Sequence, residues 1–169
     1  MEMVDKFDNK RVALGIVRER NERVAGEYRQ AMHCWIMNDN GQFLLQKRAD
    51  DKDSYPGYWS VTGGGTDSGE TTLDTVFREC KEELGLTVDA ENLELIMMVK
   101  RSIAFIDIYL WKANVDLNDV VMQVEEVQDV KWATVSEIKE MIDSGEFAPN
   151  VASYMDMFMS LVKEFSSIG

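Results

Sequence analysis

Positive charge is scarce in this chain. Of its 169 residues, 18 are Lys or Arg against 31 Asp or Glu, a formal net charge of -13 at pH 7. So anionic a surface argues against duplex nucleic acid or an anionic membrane as a partner. It leaves room for an anionic small molecule, because a bound cation can supply positive charge locally. Cysteine is nearly missing, with Cys34 and Cys80 the only two. Two lone thiols without a secretion signal fit a reducing, cytoplasmic compartment. The opening stretch, MEMVDKFDNK, lacks the basic region and apolar core of a signal peptide. No apolar run approaches the roughly 20 residues a membrane helix needs. Internal repeats and low-complexity segments are absent too. What remains is an ordinary globular balance, 45% hydrophobic and 29% charged. The length suits one domain with a sizeable core, so we expect residues 1–169 to form a single unit.

The densest regular spacing of acids lies in residues 64–86, GGTDSGETTLDTVFRECKEELGL. Ser68 and Thr71 are candidate N-caps, and Asp74 sits in the first turns, where the helix dipole favours acids. Leu73, Val76, Phe77, Cys80 and Leu84 recur at three- and four-residue steps, the stripe of an amphipathic helix. Gly85 is placed to stop it. Glu79, Glu82 and Glu83 stand at i, i+3 and i+4, so they share one helix face. Three clustered carboxylates repel unless a cation joins them, and an all-oxygen set favours Mg²⁺ or Mn²⁺. Acidic triplets on solvated helix faces are common; here Arg78 can also orient a carboxylate, and Gly63, Gly64 and Gly65 feed the helix start.

The flanking chain is rich in strand signals. Met3 to Phe7 reads as a short strand. Arg11 to Arg23 reads as a charged ribbon or arm, with residues 1–28 forming an N-terminal arm that would suit a homodimer. Its arginines offer a basic patch or simply a solvated surface. AMHCWIMN and QFLLQKR flank Asp39-Asn40-Gly41, the pattern of a hairpin. Trp59 to Thr62, Leu86 to Val88, Leu93 to Val99, Ile103 to Ala113 and Val127 to Trp132 also read as strands. Thr134 or Ser136 caps a helix through Ile142, and a last helix spans 149–166. Met155, Met157 and Met159 on it suit adaptable core packing. Strands in the middle with helices between and after them predict an α/β chain with a mixed sheet flanked by helices.

Read as a template, residues 64–86 resemble the Nudix box, G-x5-E-x7-R-E-U-x-E-E-x-G-U with U a bulky apolar residue. Gly64, Glu70, Arg78, Glu79, Glu82, Glu83 and Gly85 occupy its fixed positions, and Cys80 is a small stand-in for an apolar one. The resemblance, to the MutT-like Nudix hydrolase superfamily, implies an α/β/α sandwich over about residues 30–145. It implies a metal-dependent hydrolase of a nucleoside diphosphate linked to another group, with Glu79, Glu82 and Glu83 holding Mg²⁺ or Mn²⁺. Glu70 and Arg78 would orient the loop and a glutamate, and the carbonyl of Gly63 or Gly64 would add a ligand. The general base is a box glutamate or one from a later loop, where Glu125 and Glu126 stand. Trp35-Ile36, Gly41 to Arg48, Lys52, Pro56-Gly57 and Trp59 resemble the branch that includes isopentenyl diphosphate isomerase. That branch implies Arg48 and Lys52 as diphosphate-binding residues. The isomerase's own cysteine acid and histidine ligand fall at Gly63 and Gly65, which disfavours isomerase chemistry. A non-catalytic nucleotide-binding module is a further alternative, disfavoured by the complete set of box glutamates. Tyr55, Tyr58, Phe105 and Tyr109 could stack on a base or belong to the core. The expected partner is a small-molecule diphosphate.

Overall fold

Strand β3 (Arg29–Met37) is the spine of the molecule, and its alternation assigns the two faces of a sheet. Met32, Cys34 and Ile36 point to one side and Trp35 to the other. The structure is a computed structural model that describes residues 2–168, with side chains described up to Glu164. A seven-stranded sheet runs β5 (Trp59–Ser60), β4 (Phe43–Arg48), β3, β8 (Ala104–Lys112) and β7 (Leu93–Lys100). Strand β6 (Thr62–Gly65) adds to β3, and β9 (Val127–Ala133) adds to β4. Strands β3 and β8 are parallel from Arg29↔Ala104 to Met37↔Lys112; the other pairs are antiparallel. A parallel pair needs a crossover, and helix α1 (Thr72–Leu84) lies within it.

Helix α1 covers one face: Val76, Cys80 and Leu84 pack on Met32, Cys34 and Ile36. Helices α2 (Val135–Asp143), α3 (Pro149–Ala152) and α4 (Met155–Ile168) lie on the Trp35 side. Trp35 is fully buried, stacked on Phe158 at 4.8 Å and edge-on to Phe43 at 5.2 Å. Such ring pairs contribute about 0.5–1.5 kcal/mol each beyond their buried area. The result is the mixed α/β/α sandwich expected.

The hairpin at Asn38–Gln42 forms, with Gly41 at φ 72° and the Asn38 carboxamide accepting from the Asn40 and Gln42 amides. Its strands part at once, however. Strand β4 pairs with β3 only at Met37↔Phe43, then swings off to β5 and β9. Strand β6 takes the vacated edge, from Ala31↔Gly65 to Cys34↔Thr62. This fork between β4 and β6 brings the glycine strand beside the box helix.

Four local expectations are corrected. Leu73 is 42% exposed, while Thr72 and Thr75 are buried in the stripe. The helix start packs on polar groups of β8, so hydroxyls are favoured there: Thr72 Oγ1 donates to Asp107 at 2.6 Å. Leu86 to Val88 is not a strand; Leu86 and Val88 are buried apolar residues with no ladder partner. The last helix is broken at Ser153–Tyr154, where Tyr154 turns inward to bond Trp35 and His33. The three methionines diverge, as i, i+2 spacing on a helix dictates: Met155 is buried and Met157 is 59% exposed.

The N-terminal segment is a two-stranded ribbon, β1 (Met3–Phe7) with β2 (Ala13–Glu19). It folds back on its own chain. Arg11, held at φ 65°, makes a two-pronged contact with Asp107 at 2.7 and 2.8 Å. Ser68 Oγ donates to Asp5, and Lys100 Nζ donates to the Asn9 carbonyl.

Candidate active site

Helix α1 is fixed at both ends. Thr71 and Asp74 form a reciprocal capping box, and Gly85 closes the helix at φ 69° in the left-handed region. Thr71 is therefore the cap, and Ser68 serves the ribbon instead. Between these ends the acidic residues meet different surroundings. Glu83 is buried, Glu79 is partly buried with its side chain 14% exposed, and the two carboxyls act on each other's protonation. Burial, and then the Glu79 charge, push the Glu83 carboxyl well above its usual range. Burial raises Glu79 as well, opposed by Glu83 and Arg78. Glu82 points outward, its side chain 51% exposed and 3.5 Å from Arg78. The three glutamates are thus a touching pair and an outlier. Among the described residues no three His, Cys, Asp or Glu side chains already stand as a ligand set.

Arg78 is the hub. Nε and Nη2 donate to Glu70 at 2.7 and 3.0 Å, Nη1 to Glu79 at 2.9 Å, and Nη2 to the Gly65 carbonyl at 3.1 Å. The guanidinium in turn holds the Glu70 carboxyl below its usual range. Gly64 makes the closest approach: a Cβ there would lie 2.3 Å from Glu79 Oε1. Only glycine admits the carboxylate against the strand. Gly63 and Gly65 face the other way, Gly63 toward His33 and Gly65 toward Arg20 and Arg29.

One member of the site was not singled out in the sequence. Gln46 Nε2 donates to Glu83 at 2.6 Å, and its Oε1 accepts from Thr62 at 2.9 Å, all buried. The available signal is a polar residue directly after the apolar run Phe43-Leu44-Leu45. Neighbouring carboxylates withdrawn from water favour a proton or a cation between them. Their oxygen-only donors, oriented by Arg78 and Gln46, fit a hard divalent ion.

The later loop docks on the helix end: the Gln123 amide donates to the Glu83 carbonyl and Val121 to that of Leu84. Glu126 is half-buried and paired with Lys52; Glu125 is exposed. Lys52 is thus engaged by a carboxylate and lies outside the cavity that Arg48 lines. Arg48 donates to the Ser54 carbonyl and hydroxyl. That cavity, about 180 Å³, lies on the far side of β6 and includes Arg20, Arg29, His33 and Tyr55. Tyr55 sits there at φ 48°, edge-on to Tyr58. Phe105 and Tyr109 are buried in the core. The ribbon arginines do not form one patch: Arg18 pairs with Glu22 and Glu27, and Arg20 with Glu2. His33 and Cys34 face opposite sides of the sheet, and Cys34 lies against Cys80 in the core. Burial, with the Arg101 and Arg48 charges, lowers His33 to about 4, so the ring is neutral at pH 7.

Comparison with known proteins bears on the family and the fold. The NUDIX domain model matches residues 27–152. An uncharacterised Nudix hydrolase of Listeria innocua is 38% identical over 132 residues, 77% of this chain and 78% of the relative. The nucleoside triphosphatase NudI of an Enterobacter species is 35% identical over 118 residues, 60% of this chain and 79% of its own. A crystal structure from Deinococcus radiodurans superposes with a TM-score of 0.78, covering 95% of this chain and 99% of that one. At 19% identity that likeness speaks to the fold.

Proposed function

The chain belongs to the Nudix family and is a hydrolase of acid anhydrides, and from that premise we propose that it cleaves the diphosphate linkage of a nucleoside diphosphate derivative or related small diphosphate. One observation carries the reading: the Glu79 carboxylate lies against Gly64 beside Glu83, with Arg78 bonded to Glu79 and Gln46 bonded to Glu83. Bound there, Mg²⁺ or Mn²⁺ would neutralise charge on the phosphoryl oxygens and acidify the attacking water.

In this reading Glu79 and Glu83 are ligands, and Glu82 turns inward from its exposed position to join them. Gly64, or Gly63 one residue back, offers a carbonyl. Arg78 fixes the direction of Glu79, and Glu70 fixes Arg78. Water adds to one phosphorus, the bridging P–O bond breaks, and the second phosphate departs with the electron pair. The proton of the water passes to a carboxylate. Glu126 and the box glutamates are the candidates, and Glu126 must first release Lys52. Nudix relatives use divalent metal ions, and the relative named a nucleoside triphosphatase supports nucleotide-type substrates. The active unit is proposed to be the single domain 1–169.

The test is a panel of diphosphates with Mg²⁺ and with Mn²⁺, read by phosphate release. Glu83→Gln keeps the shape and the Gln46 contact but removes the charge. Turnover should fall by about three orders of magnitude while the melting temperature holds. Wild-type turnover in that variant would remove Glu83 from the mechanism. Isopentenyl diphosphate belongs in the panel, and the expectation is no isomerisation.

A further inference from the structure

The cavity on the far side of β6 has an unusual lining for so acidic a protein. Arg29 opens β3 and points its guanidinium inward, and its Nη1 is buried with no hydrogen-bond partner. Arg20 stands beside it: a Cβ on Gly65 would lie 3.3 Å from both Arg20 Nε and Arg29 Nη1. Two guanidinium groups therefore crowd over one glycine. Glu2 binds Arg20 through Nη1 on the exposed side and acts on Arg29 only at a distance, and among the described residues no carboxylate forms an ion pair with Arg29. Buried donors are almost always paired, and an unpaired buried cation is costly. Burial, and then the Arg20 and Arg23 charges, oppose protonation of Arg29.

The rest of the lining points the same way. Trp35 Nε1 donates to the Tyr154 hydroxyl at 3.0 Å. The phenol proton is then free to go to His33 Nδ1, 2.7 Å away. That leaves the His33 proton on Nε2, a neutral donor on a residue that lines the cavity. Arg48 adds a third guanidinium. Asn150 Oδ1 is buried without a partner and can accept from a protonated oxygen of the same ligand. At about 180 Å³ the space is below the roughly 300–1,000 Å³ of pockets that enclose a drug-sized ligand. It suits one phosphoryl group rather than a nucleoside.

We propose that this cavity binds a terminal phosphoryl group of the substrate, held by Arg29 and Arg20 with His33 and Arg48 around it. Resting on the hydrolase reading, this narrows the substrate class. Gly64 touches Glu79 on one face of β6, and Gly65 touches the arginines on the other. Strand β6 pairs with β3 alone, so no strand covers its second edge, where Arg78 meets the Gly65 carbonyl. A substrate serving both sides carries an anhydride at the glutamates and a free phosphoryl end here. Nucleoside di- or triphosphates meet that condition; diphosphates capped at both ends do not.

The experiment is equilibrium binding of inorganic phosphate to the full chain in metal-free, low-salt buffer, by calorimetry. Wild type should bind in the millimolar range. Arg29→Gln should weaken binding at least tenfold, Arg29→Lys less, and Glu79→Gln not at all. The melting temperature of Arg29→Gln should equal or exceed that of wild type, because an unpaired buried charge is removed. In turnover assays phosphate should compete with substrate in wild type, and Arg29→Gln should raise KM more than it lowers kcat. No phosphate binding by wild type, or equal binding by Arg29→Gln, overturns the site. Non-competitive inhibition overturns its link to the substrate. If no diphosphate is hydrolysed, the binding arm still decides the site, so failure of the hydrolase reading is separable.

Discussion

The two faces of strand β6 differ in how completely their polar groups are satisfied. On the helix side Arg78 bonds Glu70, Glu79 and the Gly65 carbonyl, and Glu83 bonds Gln46. On the cavity side Arg29 Nη1 and Asn150 Oδ1 have no hydrogen-bond partner among the described residues. Adjacent glycines thus serve opposite needs. The helix side is built as a rigid frame in which each group is oriented by another. The cavity side is left open, its cost accepted where a ligand completes it, a pattern expected where function outranks stability. Rigidity belongs where reacting atoms must be placed, and unmet hydrogen-bonding capacity belongs where specificity is decided.

Neighbouring alanines would break this contrast most sharply. Gly64→Ala puts a methyl 2.3 Å from Glu79 Oε1. The carboxylate must move by an ångström or more, and misplacement on that scale costs about a hundredfold in rate. Gly65→Ala meets only the ends of two flexible arginines at 3.3 Å. It should change kcat by less than about threefold and act on KM instead. Steady-state kinetics on the two variants checks this; equal kcat losses would mean that the two faces are not separate.

Gln46→Leu sharpens the comparison from the helix side. It leaves the Thr62 hydroxyl and the Glu83 carboxyl without their shared partner. Stranding such groups costs about 1–3 kcal/mol. Urea unfolding at pH 7 should show that loss, and kcat should fall with it. A stability loss with kcat intact would make Gln46 a packing residue only.

Legibility followed the same division. The helix, its stop at Gly85 and a cap narrowed to Ser68 or Thr71 were readable because they are local: a residue type at a fixed offset satisfies a backbone group. The ribbon strand and the hairpin turn were readable for that reason too. Leu73 was misread because three-residue periodicity cannot tell that the helix start rests on Asp107 and Tyr109, which favour Thr72. The β3–β4 fork was invisible because pairing is long-range, and with it the meeting of Gln46 with Glu83. Lys52 and Glu126 were each singled out for a separate role, yet they stand 74 residues apart in sequence and bind each other. Arg29 carried no local signal, since an arginine at a strand start is ordinary until its surroundings are known.

Glu70 supplies the smallest test, on the satisfied face and through pH. It accepts from Arg78 twice, from the Asp67 amide at 3.2 Å and from Thr75 at 3.2 Å. The Arg78 contacts, ahead of the others, hold its folded-state pKa below the unfolded value. The unfolded chain therefore takes up the proton first as pH falls. The stabilisation from Glu70 is complete above the unfolded pKa of about 4.5 and is lost as pH drops through the lower folded value. The side chain is 22% exposed, so solvent screens the pair and the contribution should be about 1 kcal/mol. Glu70→Gln removes that term. Wild type should exceed the variant by this margin in urea unfolding at pH 7, and the gap should close toward pH 3. A gap that stays constant with pH would assign Glu70 to shape rather than charge.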